Sequence, residues 1–204
     1  MNRGQQSAAD CYKSISSPSK GIYKDKGSKF LAFAFPVESE ERAKELVSNI
    51  KKEYFDARHH CWAYRLGHTG AQFRYNDDGE PSSTAGKPIY GQILSNELSD
   101  ILIVVVRYFG GILLGTSGLI VAYKSAAADA IANAAIIEKT ATVRYQVSFD
   151  YSQMNSVMKC LKDFQLTPQN TVYDNGCSLE VDVRLTQEAS FLESMNKICI
   201  CTRV

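Results

Sequence analysis

The sequence predicts an α+β protein built from two domains. Three observations carry this expectation. Residues 20–139 alternate short strands and helices around the fully apolar run Ile101–Val106. Residues 140–204 read β-α-β-β-α-β. The two rhythms meet at Glu138-Lys139-Thr140. The expected organisation is a loose arm over residues 1–19, a larger domain over 20–139 and a smaller one over 140–204. A chain of 204 residues suits two such domains.

The elements follow in order. The first 19 residues mix Ser, Gln, Asn and Pro, which suits an arm. From Ile22 to Val37, alternating Leu31, Phe33 and Phe35 predict two strands around the turn Lys26-Gly27-Ser28. Ser39 is an N-cap, with Glu40 and Glu41 in the first turn of a helix reaching about Phe55. Cys61–Leu66 and Ala71–Tyr75 read as a strand pair. A loop over Asn76–Ser83 then leads to a helix over Thr84–Leu98 that holds Pro88 in its first turn. Ile101–Val106, apolar on both faces, predicts a central covered strand. An alanine-rich helix from about Ser117 to Ile136 can press close against a sheet.

After residue 140, Val143, Tyr145, Val147 and Phe149 alternate with polar residues as in a half-exposed strand. Asp150 can cap a helix whose apolar stripe holds Tyr151, Met154, Val157, Met158, Leu161 and Phe164. Asp174-Asn175-Gly176 is a hairpin signal before the alternating strand Cys177–Leu185. Thr186 can cap a last helix carrying Phe191, Leu192 and Met195, and Ile198–Val204 reads as a final strand. This order is that of a ferredoxin-like unit, with Arg144, Gln146, Glu180, Asp182 and Arg184 on its open face.

Composition narrows the function classes. No apolar run approaches the roughly 18 residues of a membrane span. Residues 1–10 are polar and lack the apolar core of a signal peptide, so a cytoplasmic location and reduced thiols are expected. A net charge of +1 argues against general attraction to nucleic acid and leaves room for a local basic patch.

Three stretches carry candidate chemistry. Asp77-Asp78-Gly79-Glu80-Pro81, running on to Pro88, places three carboxylates within four positions. They can bind a cation or do acid–base work, or simply form a solvated turn before a helix. Arg107-Tyr108-Phe109-Gly110-Gly111, followed by Gly115-Thr116-Ser117-Gly118, joins a buried strand to a helix. Free N–H groups at that helix start suit a phosphate, whereas tight turns and close packing would use the same glycines. The spacing matches no nucleotide fingerprint. An Arg107 at the strand end can pair with the carboxylate-rich loop. In Arg58-His59-His60-Cys61-Trp62, His59 and Cys61 share one strand face, with His60 on the other. No further ligand stands at usable spacing, so neither metal nor cofactor is expected.

Together these stretches resemble the IMPACT/YigZ family in its bacterial two-domain form. DDGEPSSTAGKP (Asp77–Pro88) is similar to the family's acidic turn. VVVRYFGGILLGTSGLIVAY (Val104–Tyr123) is similar to its strand, R-Y-F-G-G loop and helix start. HHCWAY (His59–Tyr64) stands where the family usually has His-Asn-Cys-aromatic-Ala-aromatic, so His60 replaces the Asn. The resemblance covers about residues 18–130 by motif and the remainder by pattern. It implies a first domain similar to the second domain of ribosomal protein S-five and a second similar to the last domain of elongation factor G. Both work on the ribosome. Eukaryotic members carry a different N-terminal module and act on the pathway that inhibits translation under amino-acid starvation. That partner network is not carried over here.

Three functions are weighed. The first is a translation-linked binding protein for RNA, the ribosome or a translation factor. Its candidate contacts are Lys87, Arg107, Tyr108, Phe109, Gly110, Gly111, Gly115, Thr116, Ser117, Gly118 and Lys124, with Arg58 and Tyr90 beside them. The second is a hydrolase or phosphotransferase using Asp78, Glu80 and His59 near the glycine loop. The third is a protein-interaction module without chemistry.

Overall fold

The computed structural model describes residues 10–174 and 176–204. The chain forms two compact units. The larger is Tyr12–Lys139. The smaller is Thr140–Val204 together with Asp10 and Cys11.

The larger unit is built on a five-stranded antiparallel sheet. Its strands are β2 (Ser19–Asp25), β3 (Ser28–Pro36), β4 (His59–Leu66), β5 (Gln72–Asn76) and β6 (Ile101–Tyr108), in the order β2-β3-β6-β4-β5. Strand β6 is central because its residues Ile101–Arg107 are all buried, so both faces need covering. Helix α1 (Glu40–Glu53) covers one face through Ala43 and Ile50, against Leu102, Val104 and Val106. Helices α2 (Gly86–Ser95) and α3 (Gly115–Ala132) cover the other, against Ile101, Ile103 and Val105.

Local chemistry sets the ends of these elements. Lys26 and Gly27, at φ of 45° and 78°, make the two-residue turn between β2 and β3, where right-handed strand twist favours left-handed backbone. Ser39 caps α1 by accepting the Arg42 N–H at 3.2 Å. Helix α3 lies against β2 with almost no gap. A Cβ on Gly21 would stand 2.3 Å from the backbone nitrogen of Ala130. Ser19 Oγ donates to the Ala130 carbonyl at 2.7 Å, and Asp129 accepts the Ile22 N–H at 2.8 Å.

The structure departs from the sequence reading at both margins of this unit. Residues 1–9 of the expected arm lie outside the described residues, but Cys11–Ile15 forms strand β1. Ile15 is fully buried and the Tyr12 hydroxyl donates to Asp100, contacts that the polar composition of the segment conceals. Helix α3 stops at Ala132, and Ile136–Thr140, expected as helix end and linker, becomes strand β7 paired with β1. Partner strands supply backbone hydrogen bonds that local sequence does not encode.

The smaller unit runs β8 (Thr142–Phe149), α4 (Met154–Asp163), β9 (Gln169–Tyr173), β10 (Cys177–Arg184), α5 (Glu188–Met195) and β11 (Ile200–Arg203). Its antiparallel sheet has the order β11-β8-β10-β9, which together with the β-α-β-β-α-β succession is a ferredoxin-like arrangement. Asp150 and Gln153 form a capping box at the 3-10 turn ahead of α4. Asn175 of the expected hairpin signal lies outside the described residues. Thr186, read from sequence as a cap, instead donates its hydroxyl to Asp10 at 2.6 Å. The open face carries Arg144 in a two-pronged bond to Asp182, 2.8 Å at each prong, so its charges largely cancel. No helix among the described residues is long and apolar enough to cross a membrane.

The β2–α3 contact yields a direct expectation. Gly21→Val should lower unfolding stability by about 2 kcal/mol or more, because the added atoms meet helix backbone that cannot swing aside. Gly91→Ala, where nothing lies within 4 Å of the added atom, should not destabilise. Urea denaturation of both variants checks this, and equal midpoints would show that the helix is not held so closely.

Candidate functional site

Near the end of strand β6, Arg107 pairs across the sheet with His59 of β4 and Phe30 of β3. All three side chains therefore share the face covered by α2 and α3. The acidic turn folds over this end. Glu80, almost wholly buried, accepts from Arg107 Nη1 at 2.6 Å and from the Tyr123 hydroxyl at 2.8 Å. The Cys61 thiol donates to the Tyr123 oxygen at 3.3 Å, extending the buried network. Phe30 meets Tyr123 edge-on, with ring centroids 5.1 Å apart, and the Arg107 guanidinium lies 5.6 Å from the Phe30 ring centre.

The three carboxylates of the turn have separate tasks. Asp77 Oδ1 accepts the N–H groups of Ala85 and Gly86 at 3.0 and 2.8 Å, and Oδ2 accepts that of Ser83 at 2.9 Å. It caps α2 from eight or nine residues away, so its role is architectural. Asp78 accepts from Lys51 Nζ and from the His60 N–H, both at 2.7 Å. Burial would raise its pKa, but the Lys51 and His60 hydrogen bonds and the Lys51 charge outweigh that and hold the carboxyl below its usual range. Only Glu80 faces the cavity described next.

That cavity, about 410 Å³, is lined by Arg58, His59, Glu80, Pro81 and Arg107 on one side. Phe109, Leu113, Leu114, Gly115, Thr116 and Leu119 line the other. His59 Nδ1 lies 2.9 Å from the Asp78 carbonyl oxygen. A carbonyl only accepts, so Nδ1 carries the proton and Nε2 is left toward Glu80, 3.9 Å from Oε1. Helix α3 opens the other wall with no side-chain cap, its first residues Gly115, Thr116 and Ser117 exposed. Its leading N–H groups and dipole make that wall electropositive. Arg107 Nε is buried and has no hydrogen-bond partner among the described residues. Arg58 is exposed and in no ion pair among them.

The structure sorts the sequence candidates. Glu80, His59, Arg107, Phe109, Gly115 and Thr116 meet in the cavity wall; Asp78, Lys87 and Lys124 are not part of it. Asp78 is turned toward Lys51 and the His60 amide. Lys124 is exposed about two and a half turns into α3, away from the helix start. Tyr108 points away and donates to Asp56 at 2.8 Å. Gly110 is a packing residue, since a Cβ there would stand 1.9 Å from Gly27. Gly111, at φ 88°, has open space around it and shapes the loop by conformation alone. Ser117 is exposed beside the cavity wall, and Gly118 packs on Leu114. Sequence reasoning missed Tyr123, which sits one helical turn beyond Leu119; its spacing from the helix start was the available signal. Cys61 is fully buried, and that burial first of all pushes its thiol pKa up.

The buried pair can be tested directly. Glu80→Ala and Arg107→Ala should each cost about 3–5 kcal/mol, since each leaves a buried charge alone. The double variant should lose clearly less than the sum, as read by denaturant unfolding; additive losses would show the two are uncoupled. Cys61 should resist iodoacetamide at pH 8 in the folded protein and react once it is unfolded, as followed by mass spectrometry.

Comparison with known proteins places this geometry in a lineage. The Impact N-terminal domain profile matches residues 26–131, a span that contains the whole cavity. IMPACT family member YvyE of Bacillus subtilis (strain 168) is 32% identical over 171 residues, covering 84% of this chain and 79% of its own. IMPACT family member YigZ of Escherichia coli (strain K12) is 34% identical over 168 residues, 81% of this chain and 82% of its own. The crystal structure of a hypothetical protein superposes with a TM-score of 0.71 at 31% identity, covering 92% of both chains. The alignment to YvyE is too long to lie within Tyr12–Lys139 alone, so the likeness reaches into the smaller unit, and the chain belongs to the IMPACT family.

Proposed function

We propose that this chain is a translation-linked binding protein, and that the cavity of its larger unit receives an anionic group of RNA, on the ribosome or beside a translation factor. The observation that carries this reading is the pairing of two donors at one cavity. One is Arg107, which lines the cavity and whose solvent-closed Nε has no partner among the described residues; the other is the uncapped start of an 18-residue helix. Arg58 adds an unpaired charge at the rim. Arg58 and Arg107 against Glu80 leave one net positive charge on the lining, His59 not counted. Phe109, 46% exposed, provides a ring beside that charge for a base or ribose.

The translation link rests on the family resemblance. The strand and helix order of the larger unit fits a likeness to the second domain of ribosomal protein S-five. The ferredoxin-like order of the smaller fits the last domain of elongation factor G. Fold alone does not assign a function. What makes RNA the ligand of choice is the cavity's donor set, together with the ribosomal setting of the two domains that the family resemblance implies.

One observation favours a second reading. His59 is held by a carbonyl at Nδ1 and presents Nε2 beside a buried carboxylate, an arrangement that can accept a proton from water. A hydrolase acting on a phosphoester would use it. Release of phosphate or nucleotide from RNA by the parent, lost in His59→Ala, would establish that reading in place of simple binding.

Binding to ribosomes and to structured RNA at two salt concentrations tests the first reading. Arg58→Ala should weaken binding by roughly tenfold and lower the salt dependence by about one phosphate contact. Arg107→Lys retains a charge for Glu80 but removes the Nε–H, and should cost roughly 1–3 kcal/mol of binding. Lys124→Ala should bind like the parent. If folded Arg58→Ala and Arg107→Lys both bind like the parent at either salt, the cavity is not the RNA site.

A further inference from the structure

Strand β5 closes the five-stranded sheet as an edge, and all of its residues, Gln72–Asn76, are exposed. Edge strands usually carry polar side chains. This one carries Phe73 and Tyr75, 49% and 38% exposed. Both lie opposite Arg65 and Ala63 of β4, on the sheet face that α2 covers. There they meet Tyr90 of α2. The Phe73 and Tyr90 rings stack with centroids 4.7 Å apart at 15°, and Tyr75 lies 5.9 Å from Tyr90 at 28°. Three nearly parallel rings therefore form a ledge at the sheet edge, two of them substantially in solvent.

The charge around the ledge is positive. Lys87 precedes Tyr90 by three residues on α2, so it stands on the same side of the helix, and it is exposed. Arg65, paired in register with Phe73, donates to the carbonyls of Leu98 at 2.8 Å and Thr69 at 3.2 Å, and its Nε is buried without a partner among the described residues. Neither Arg65 nor Lys87 has a carboxylate at ion-pair distance among those residues. Partly exposed rings flanked by cations that have no carboxylate partner suit bases that stack and phosphates that pair.

We infer that Phe73, Tyr75 and Tyr90 form a stacking platform for the bases of single-stranded RNA, with Lys87 beside it on the phosphate backbone. This rests on the RNA reading of the same unit and extends it to strandedness. Duplex RNA buries its base faces and cannot use the ledge. The ledge and the cavity lie on one face of the sheet. Tyr75 opposes Ala63, four residues along β4 from His59, which is about 13 Å at strand rise. A short single strand can touch both.

The test uses the full chain and a ten-nucleotide oligoadenylate carrying one 2-aminopurine, with a duplex of equal length as the comparison. The parent should bind the single strand more tightly than the duplex and quench the 2-aminopurine. Phe73→Ala/Tyr75→Ala, exposed positions whose loss should leave the melting temperature nearly unchanged, should lose at least about tenfold in affinity and abolish the quench, with the salt slope intact. Phe73→Trp/Tyr75→Phe should retain both. Lys87→Ala should keep the quench and reduce the salt slope by about one phosphate. Equal binding by the alanine double variant and the parent, or failure of the parent to prefer the single strand, overturns the platform. If the double variant loses ribosome binding only after the RNA has been digested, the ledge is a protein contact and the RNA assignment fails. Arg58→Ala reports separately: a platform that works while Arg58→Ala binds like the parent removes the cavity reading alone, and the reverse removes the ledge alone.

Discussion

One buried ion pair organises the open end of the larger unit. Glu80 and Arg107 come from segments 27 residues apart and meet at 2.6 Å with almost no solvent around them. Burying two charges is expensive, and a well-packed apolar pair would be as stable or more so. What the pair contributes is position. It ties the acidic turn to the end of the central strand, and through the Tyr123 hydroxyl it ties both to α3. These three elements wall the cavity together with the start of β4 and the loop after β6. Its shape therefore depends on a contact that has exact partners, where an apolar contact would tolerate slippage.

The pair also divides the charge of the site unevenly. Arg107 spends one guanidinium nitrogen on Glu80 and keeps Nε without a partner among the described residues. Glu80 takes both of its donors on Oε1, with His59 Nε2 at the longer distance of 3.9 Å from the same oxygen. The result is a mostly apolar hollow with one residual positive charge and a helix start. The smaller unit shows the opposite economy. Arg144 is matched by Asp182 and Glu180 on its open face, which leaves that face little field to attract a polyanion.

Much of the fold was legible from local chemistry. Lys26-Gly27 marks a tight turn because glycine accepts left-handed backbone, and Ser39 with two glutamates marks a helix start. The alanines of α3 announce a helix that can approach a sheet, and Gly21 is where that approach is closest. The alternation in β8 and β10 gave the face of each residue, down to which side chains are buried. Less was legible at the site. The family motifs brought His59, Glu80 and Arg107 to notice, yet Asp77, Asp78 and Glu80 look alike in sequence and have three different tasks in the fold. Asp77 caps a helix that begins nine residues later, a distance no local rule anticipates.

By itself the sequence determined the element order, the two rhythms that meet near residue 139, the central apolar strand, and the motifs that mark the family. Each is a property of neighbours along the chain, where periodicity, capping and turn chemistry act. Tertiary structure alone decided that Cys11–Ile15 is a strand, that Asp78 faces Lys51 and not the cavity, and that Tyr123 closes the hydrogen-bond network under Glu80. It alone gathered Phe73, Tyr75 and Tyr90 from a strand and a helix into one ledge. Burial and hydrogen bonding are settled by whatever the fold brings within a few ångströms, and for these residues the deciding partners lie far away in the chain.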